Sequence, residues 1–156
     1  MQPYVVAGVY MPAVACAAVW DMRTRCIPNR LVLAAATILC AYYAGAASAG
    51  SVKWGRPVEA FVAAGVTFSI GYALKDASRK SFGGGDVKLL ALTALAGGVY
   101  GVGVAAEMVA AGFVAAGLFS AVGVATRKLR LSDSVPFGPF VAVGSTVALL
   151  AGSHII

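Results

Sequence analysis

The sequence predicts an all-α, polytopic membrane protein with six transmembrane helices, the fourth of them short. Three observations lead there. The 156 residues are 60% hydrophobic and only 12% charged, where a soluble domain carries about 25% charged residues. Mean hydropathy is +0.87, more apolar surface than one domain of this length can hide from water, so the solvent is a bilayer. The apolar residues fall into six runs, and the basic residues collect between them. The net charge of +6 is therefore topological and not the stripe that binds nucleic acid, so no nucleic-acid partner is expected.

The first run, from about Pro3 to Trp20, has no charge and ends at Asp21-Met22-Arg23-Thr24-Arg25-Cys26-Ile27-Pro28-Asn29-Arg30. Pro28 suits a helix start, where its missing N–H costs nothing. The second run spans about Asn29 to Ala49, and the third about Pro57 to Leu74. The loop from Lys75 to Gly85 leads into a fourth run that starts near Asp86 and meets Gly97-Gly98-Val99-Tyr100-Gly101-Val102-Gly103. Glycine is costly in a helix interior, so these residues are read as a break. A helix ending there is too short for a roughly 30 Å hydrocarbon core; the competing reading continues it to about Ala106. The fifth run covers about Val104 to Thr126, and the sixth about Val135 to Ile156.

Loops one, three and five hold most of the Lys and Arg, while loops two and four hold only Lys53 and Arg56. The positive-inside rule then puts both termini outside and the three basic loops in the cytoplasm. The cysteines, Cys16, Cys26 and Cys40, show no C-x-x-C spacing, so neither a disulfide framework nor a zinc site follows. Cys16 and Cys40 read as small core residues. No Lys or Arg precedes Cys16, so the first run reads as a retained helix and not a signal peptide.

Elimination narrows the chemistry. The single histidine, His154, is beside the C-terminus with Ser153, an unconvincing nucleophilic pair, and no H-E-x-x-H is present. Ser81 with Lys80 or Lys88 stays open as a Ser-Lys pair. The glycine run is followed by a carboxylate, which would repel phosphate. The carboxylates Asp21, Glu59, Asp76, Asp86, Glu107 and Asp133 remain. Asp21 and Asp86 sit at helix–loop junctions, at one expected depth. Two carboxylates sharing a site hold one proton between them. Such a pair can activate water and protonate a leaving amine without a metal or cofactor. Asp86 begins a helix and Asp21 ends one, so the helix dipoles favour Asp21 as the proton holder.

Phe82-Gly83-Gly84-Gly85-Asp86-Val87-Lys88 resembles the F-G-x-G-D-x-K signature of type IV prepilin peptidases. Asp21 through Pro28 and Asn29 resembles that family's first-aspartate motif, and Pro136-Phe137-Gly138-Pro139 its last-helix motif. The resemblance implies an intramembrane aspartic endopeptidase with Asp21 and Asp86 as the catalytic pair. It implies that Gly83 and Gly85 let the substrate backbone approach, and that Pro136 and Gly138 shape the start of helix six. Phe82 and Lys88 match the motif too, although a positive-inside anchor explains Lys88 equally well. The paired C-x-x-C motifs of larger members are missing. The resemblance is thus to the short CpaA/TadV-like form of tight-adherence (Flp) pilus systems, a single peptidase domain over 1–156 with no zinc/methyltransferase domain and no methyltransferase activity. The implied partners are the bilayer and prepilins or pseudopilins, each with a short basic leader and an apolar helix, cut at the cytoplasmic edge. A small transporter using intramembrane carboxylates competes, as does a non-catalytic assembly subunit.

Overall fold

The computed structural model describes residues 3–78, 82–130 and 135–151. Ser81, Lys80, Asp133, Ser153 and His154, all weighed above, lie outside the described residues. Among the described residues there are six helices and no strand: α1 (Pro3–Thr24), α2 (Asn29–Ser48), α3 (Gly55–Ala77), α4 (Gly84–Gly98), α5 (Val102–Ala125) and α6 (Gly138–Ala151). Helices α1, α2, α3 and α5 are long and apolar enough to cross a membrane. Large side chains such as Leu33, Ile38, Val62, Val66, Leu118 and Val122 point outward. That is the surface of a multi-pass membrane protein, in which lipid takes the place of water.

α4 is the axis of the molecule. It packs on all five other helices, and from Leu89 to Gly98 every residue but Ala91 is buried. Its 15 residues give roughly 22 Å at 1.5 Å each, so the short reading of this helix is the correct one. The break falls at Gly101, whose φ of +138° is closed to most side chains. Arg56 seals this end: its guanidinium donates to the Tyr100 carbonyl at 3.3 Å and pairs with Glu59 at 3.1 Å.

Small residues set the helix separations. A Cβ added to Gly98 would lie 2.5 Å from Cα of Ala60 in α3. On α5 and α6, Gly112 backs onto Val141 and Gly144 onto Ala111 at similarly close range. Close backbone approach of this kind is how helices associate where water cannot drive them together. A few polar groups complete the core. The Tyr10 hydroxyl of α1 bonds Thr93 Oγ1 of α4 at 2.9 Å and Ser145 Oγ of α6 at 2.6 Å. Tyr43 of α2 donates to the Leu95 carbonyl at 3.1 Å. Each hydroxyl is paired, as burial in an apolar medium demands.

Two expectations need correction. Cys16 is exposed, whereas Cys40 is half-buried and packs against the core as expected: the inward face of α1 is Val6, Tyr10, Ala13, Val14, Ala17 and Ala18, which turns position 16 toward lipid. Helix α1 also runs beyond Trp20 to Thr24. Asp21 therefore lies within the last helical turn, before Arg25 ends it with a φ of 52°.

Candidate active site

Asp21 is held on the inner face of α1 because it continues the stripe through Val14, Ala17 and Ala18. It is only 5% exposed, which an acid on an apolar helix tolerates only with a partner. The partner is the first residue of α6: the Gly138 N–H donates to Asp21 Oδ2 at 2.8 Å. A larger residue at Gly138 would crowd the acid, since an added Cβ would stand 3.0 Å from both Cβ and Oδ2 of Asp21. The structure thus gives the Pro136–Pro139 segment a definite task, delivery of a bare peptide N–H to an aspartate.

Asp86 occupies the third position of α4 and reaches back to the residue that precedes the helix. The Gly83 N–H donates to Asp86 Oδ2 at 3.2 Å. This is one half of a capping box; Gly83 has no side chain to supply the other. The room left by the glycines is filled by protein. The space over Gly83 holds the Asp86 carboxylate, and that over Gly85 holds Ile27, with an added Cβ 3.1 Å from Ile27 Cβ. Buried Ile27 thereby locks the loop after α1 onto the first turn of α4.

The two carboxylates feel one another. Asp86 lies at the loop end of α4, outside the four long spans, and is pushed up to about 6, first by burial and then by the charge of Asp21, against the lowering effect of the Gly83 N–H. A carboxyl that titrates there keeps its proton about two pH units higher than an ordinary aspartate. The dipole argument had pointed to Asp21 as proton holder. At Asp86 burial and a like charge outweigh the lowering effect of the helix N-terminus. Glu59 is half-buried in its pair with Arg56, while Asp76 and Glu107 are exposed. Among the described residues, no cluster of three metal-ligating side chains occurs.

Other motif residues are joined in unforeseen ways. Lys88 Nζ donates to Asn29 Oδ1 at 2.8 Å, tying the start of α2 to α4. Pro28 is the cap residue before α2, and its carbonyl accepts the Leu31 N–H at 3.1 Å. A cavity of about 400 Å³ bounded by Asn29, Leu33, Phe68, Lys88 and Leu92 opens between α2, α3 and α4. It lies on the side of α4 away from Asp86, because two residues are about 200° of helix. Phe82 and Phe137, from two different motifs, meet with ring centroids 5.8 Å apart. Sequence reasoning missed Phe113 of α5, whose ring lies 5.1 Å from Phe137 and 6.4 Å from Phe82. One phenylalanine in an apolar helix carries no signal that could have singled it out.

Residues 8–126 match the type IV leader peptidase family. The chain is 31% identical over 163 aligned positions to the prepilin leader peptidase/N-methyltransferase of Bacillus subtilis (strain 168), covering 96% of this chain and 57% of that protein. It thus spans little more than half the length of this curated relative. No solved structure matches it.

Proposed function

Because the chain belongs to the type IV leader peptidase family, we propose that it is a membrane-embedded aspartic endopeptidase that removes the short basic leader of type IV prepilins. Asp21 and Asp86 are its catalytic pair. The observation that carries this reading is the joint electrostatics of two acids from distant parts of the chain: the Asp21 charge helps hold the Asp86 carboxyl up at about 6. One protonated and one ionised carboxylate is the resting state that aspartic proteolysis needs. The ionised group takes a proton from water as the oxygen attacks the scissile carbonyl. The protonated group hydrogen-bonds the carbonyl oxygen, and a proton then passes to the leaving amine as the C–N bond breaks. The step uses two carboxylates and water.

The basic loops support cleavage at the cytoplasmic face, with both termini outside. The motif resemblance makes an Flp-type pilin the substrate to test. The test is co-expression with a tagged Flp-type prepilin in a host devoid of such peptidases, followed by pilin mass. The wild type is expected to remove the leader, and neither Asp21→Asn nor Asp86→Asn to do so. Cleavage that survives both substitutions would move the chemistry off this pair.

A further inference from the structure

The peptide N–H groups that hold the two carboxylates share a surrounding. Gly83, which donates to Asp86, directly follows Phe82; Gly138, which donates to Asp21, directly follows Phe137. The two rings meet edge to face. The third ring, Phe113, is within 5.1 Å of one and 6.4 Å of the other, measured between centroids. It comes from α5. Its neighbour Gly112 sets its height, because an added Cβ there would lie 3.2 Å from Val141 Cα. α5 is thus seated on α6, and the Phe113 ring is delivered to the point where the α4 and α6 entries converge.

We infer that Phe113 is a positioning residue for the proteolytic reaction: its ring fixes Phe82 and Phe137, and through them the Gly83 and Gly138 N–H groups that aim Asp86 and Asp21. The inference rests on the peptidase reading for its catalytic consequence and on ring geometry for its structural one. A truncated ring frees both entry segments, so the donors drift and the carboxylates lose their mutual aim. Misplacement of reacting groups by about 1 Å costs about 100-fold in rate.

The experiment compares Phe113→Ala, Phe113→Leu and Phe113→Tyr with Phe119→Ala. Phe119 is on the same helix but stacks on Phe140, with centroids 5.0 Å apart, so it reports on loss of an aromatic pair as such. Two readouts are taken on folded, detergent-purified protein: prepilin cleavage, and amide hydrogen exchange at Gly83 and Gly138. Phe113→Ala is expected to lower kcat about 10- to 100-fold with KM held within about twofold, and to speed exchange at both glycines about tenfold or more. Phe113→Tyr keeps the ring and should restore both. Phe119→Ala should change neither. If Phe113→Ala does not fold, Phe113→Leu, which keeps bulk without a ring, should show the same direction at smaller amplitude. Unchanged exchange at both glycines in the ring-less variants, or equal losses in Phe119→Ala, would overturn the inference. If the wild type cleaves no prepilin, the peptidase reading fails, and the exchange comparison still decides the role of Phe113.

Discussion

The substitution Gly138→Ala tests the site through a single methyl group. The added Cβ would stand 3.0 Å from Asp21 Cβ, 3.0 Å from Asp21 Oδ2 and 3.4 Å from Ala18 Cα. Ordinary van der Waals contact begins at about 3.4 Å, so α6 or Asp21 must give by a few tenths of an ångström. Asp21 cannot swing aside into water, because it is buried between α1 and α6. The 2.8 Å hydrogen bond would stretch toward about 3.2 Å, the limit of a good N–H···O bond. Overpacking of this kind costs about 1–3 kcal/mol. The larger consequence is catalytic, since a displacement of about 1 Å between reacting groups costs about 100-fold. The displacement here is a fraction of that, so Gly138→Ala is expected to lose about threefold to tenfold in prepilin cleavage at equal amounts of folded protein. Gly117→Ala is the control: nothing lies within 4 Å of its added Cβ, and the change should be neutral or slightly stabilising. Cleavage by Gly138→Ala within about twofold of wild type would refute the account of Gly138.

Two further outcomes follow from the same geometry. Gly98→Ala should reverse the pattern of Gly138→Ala: its Cβ would strike Ala60 Cα at 2.5 Å, yet it lies about 18 Å along α4 from Asp86. Thermal stability should drop by about 1–3 kcal/mol or more while kcat of the folded fraction stays near wild type; an unchanged melting temperature would contradict the tight α3–α4 crossing. The Asp86 carboxyl, raised from 3.8 to about 6, binds its proton more tightly in the folded protein than in the unfolded one, so its effect on stability is fully favourable below pH 4 and lost as pH rises through 6. Asp86→Asn should therefore melt higher than wild type at pH 7 but show no such gain at pH 4, and a difference that is the same at both pH values would rule the raised carboxyl out.

The sequence made the helices legible because their boundaries are chemical. Glycine, proline and basic loops interrupt the apolar runs, and the short α4 could be read from Gly97 to Gly103. The resemblance singled out Asp21 and Asp86, and in the structure each accepts a glycine N–H at a helix entry. Orientation within the helices was not legible. In a soluble protein polar residues mark the outer face, but here both faces are apolar, so Cys16 outward and Tyr10 inward look alike in the sequence. The Lys88–Asn29 bond was hidden by the same ambiguity: a lysine at a helix end already had a sufficient explanation in topology.

The buried hydroxyls have a consequence for the membrane as an insulator. Thr93 and Ser145 each lie seven residues deeper than Asp86 and Gly138 along their own helices, about 10 Å. Between these levels the inward side chains include Val14, Leu89, Leu90 and Val141, all at most 2% exposed. A proton leaving the aspartates toward the far side would have to cross this dry layer before it met the Tyr10 hydroxyl. A hydrolase that admits water into a bilayer risks short-circuiting the ion gradient across it. On the proposed peptidase reading this apolar layer would break the proton wire, so that water reaching the carboxylates would not make the chain a leak.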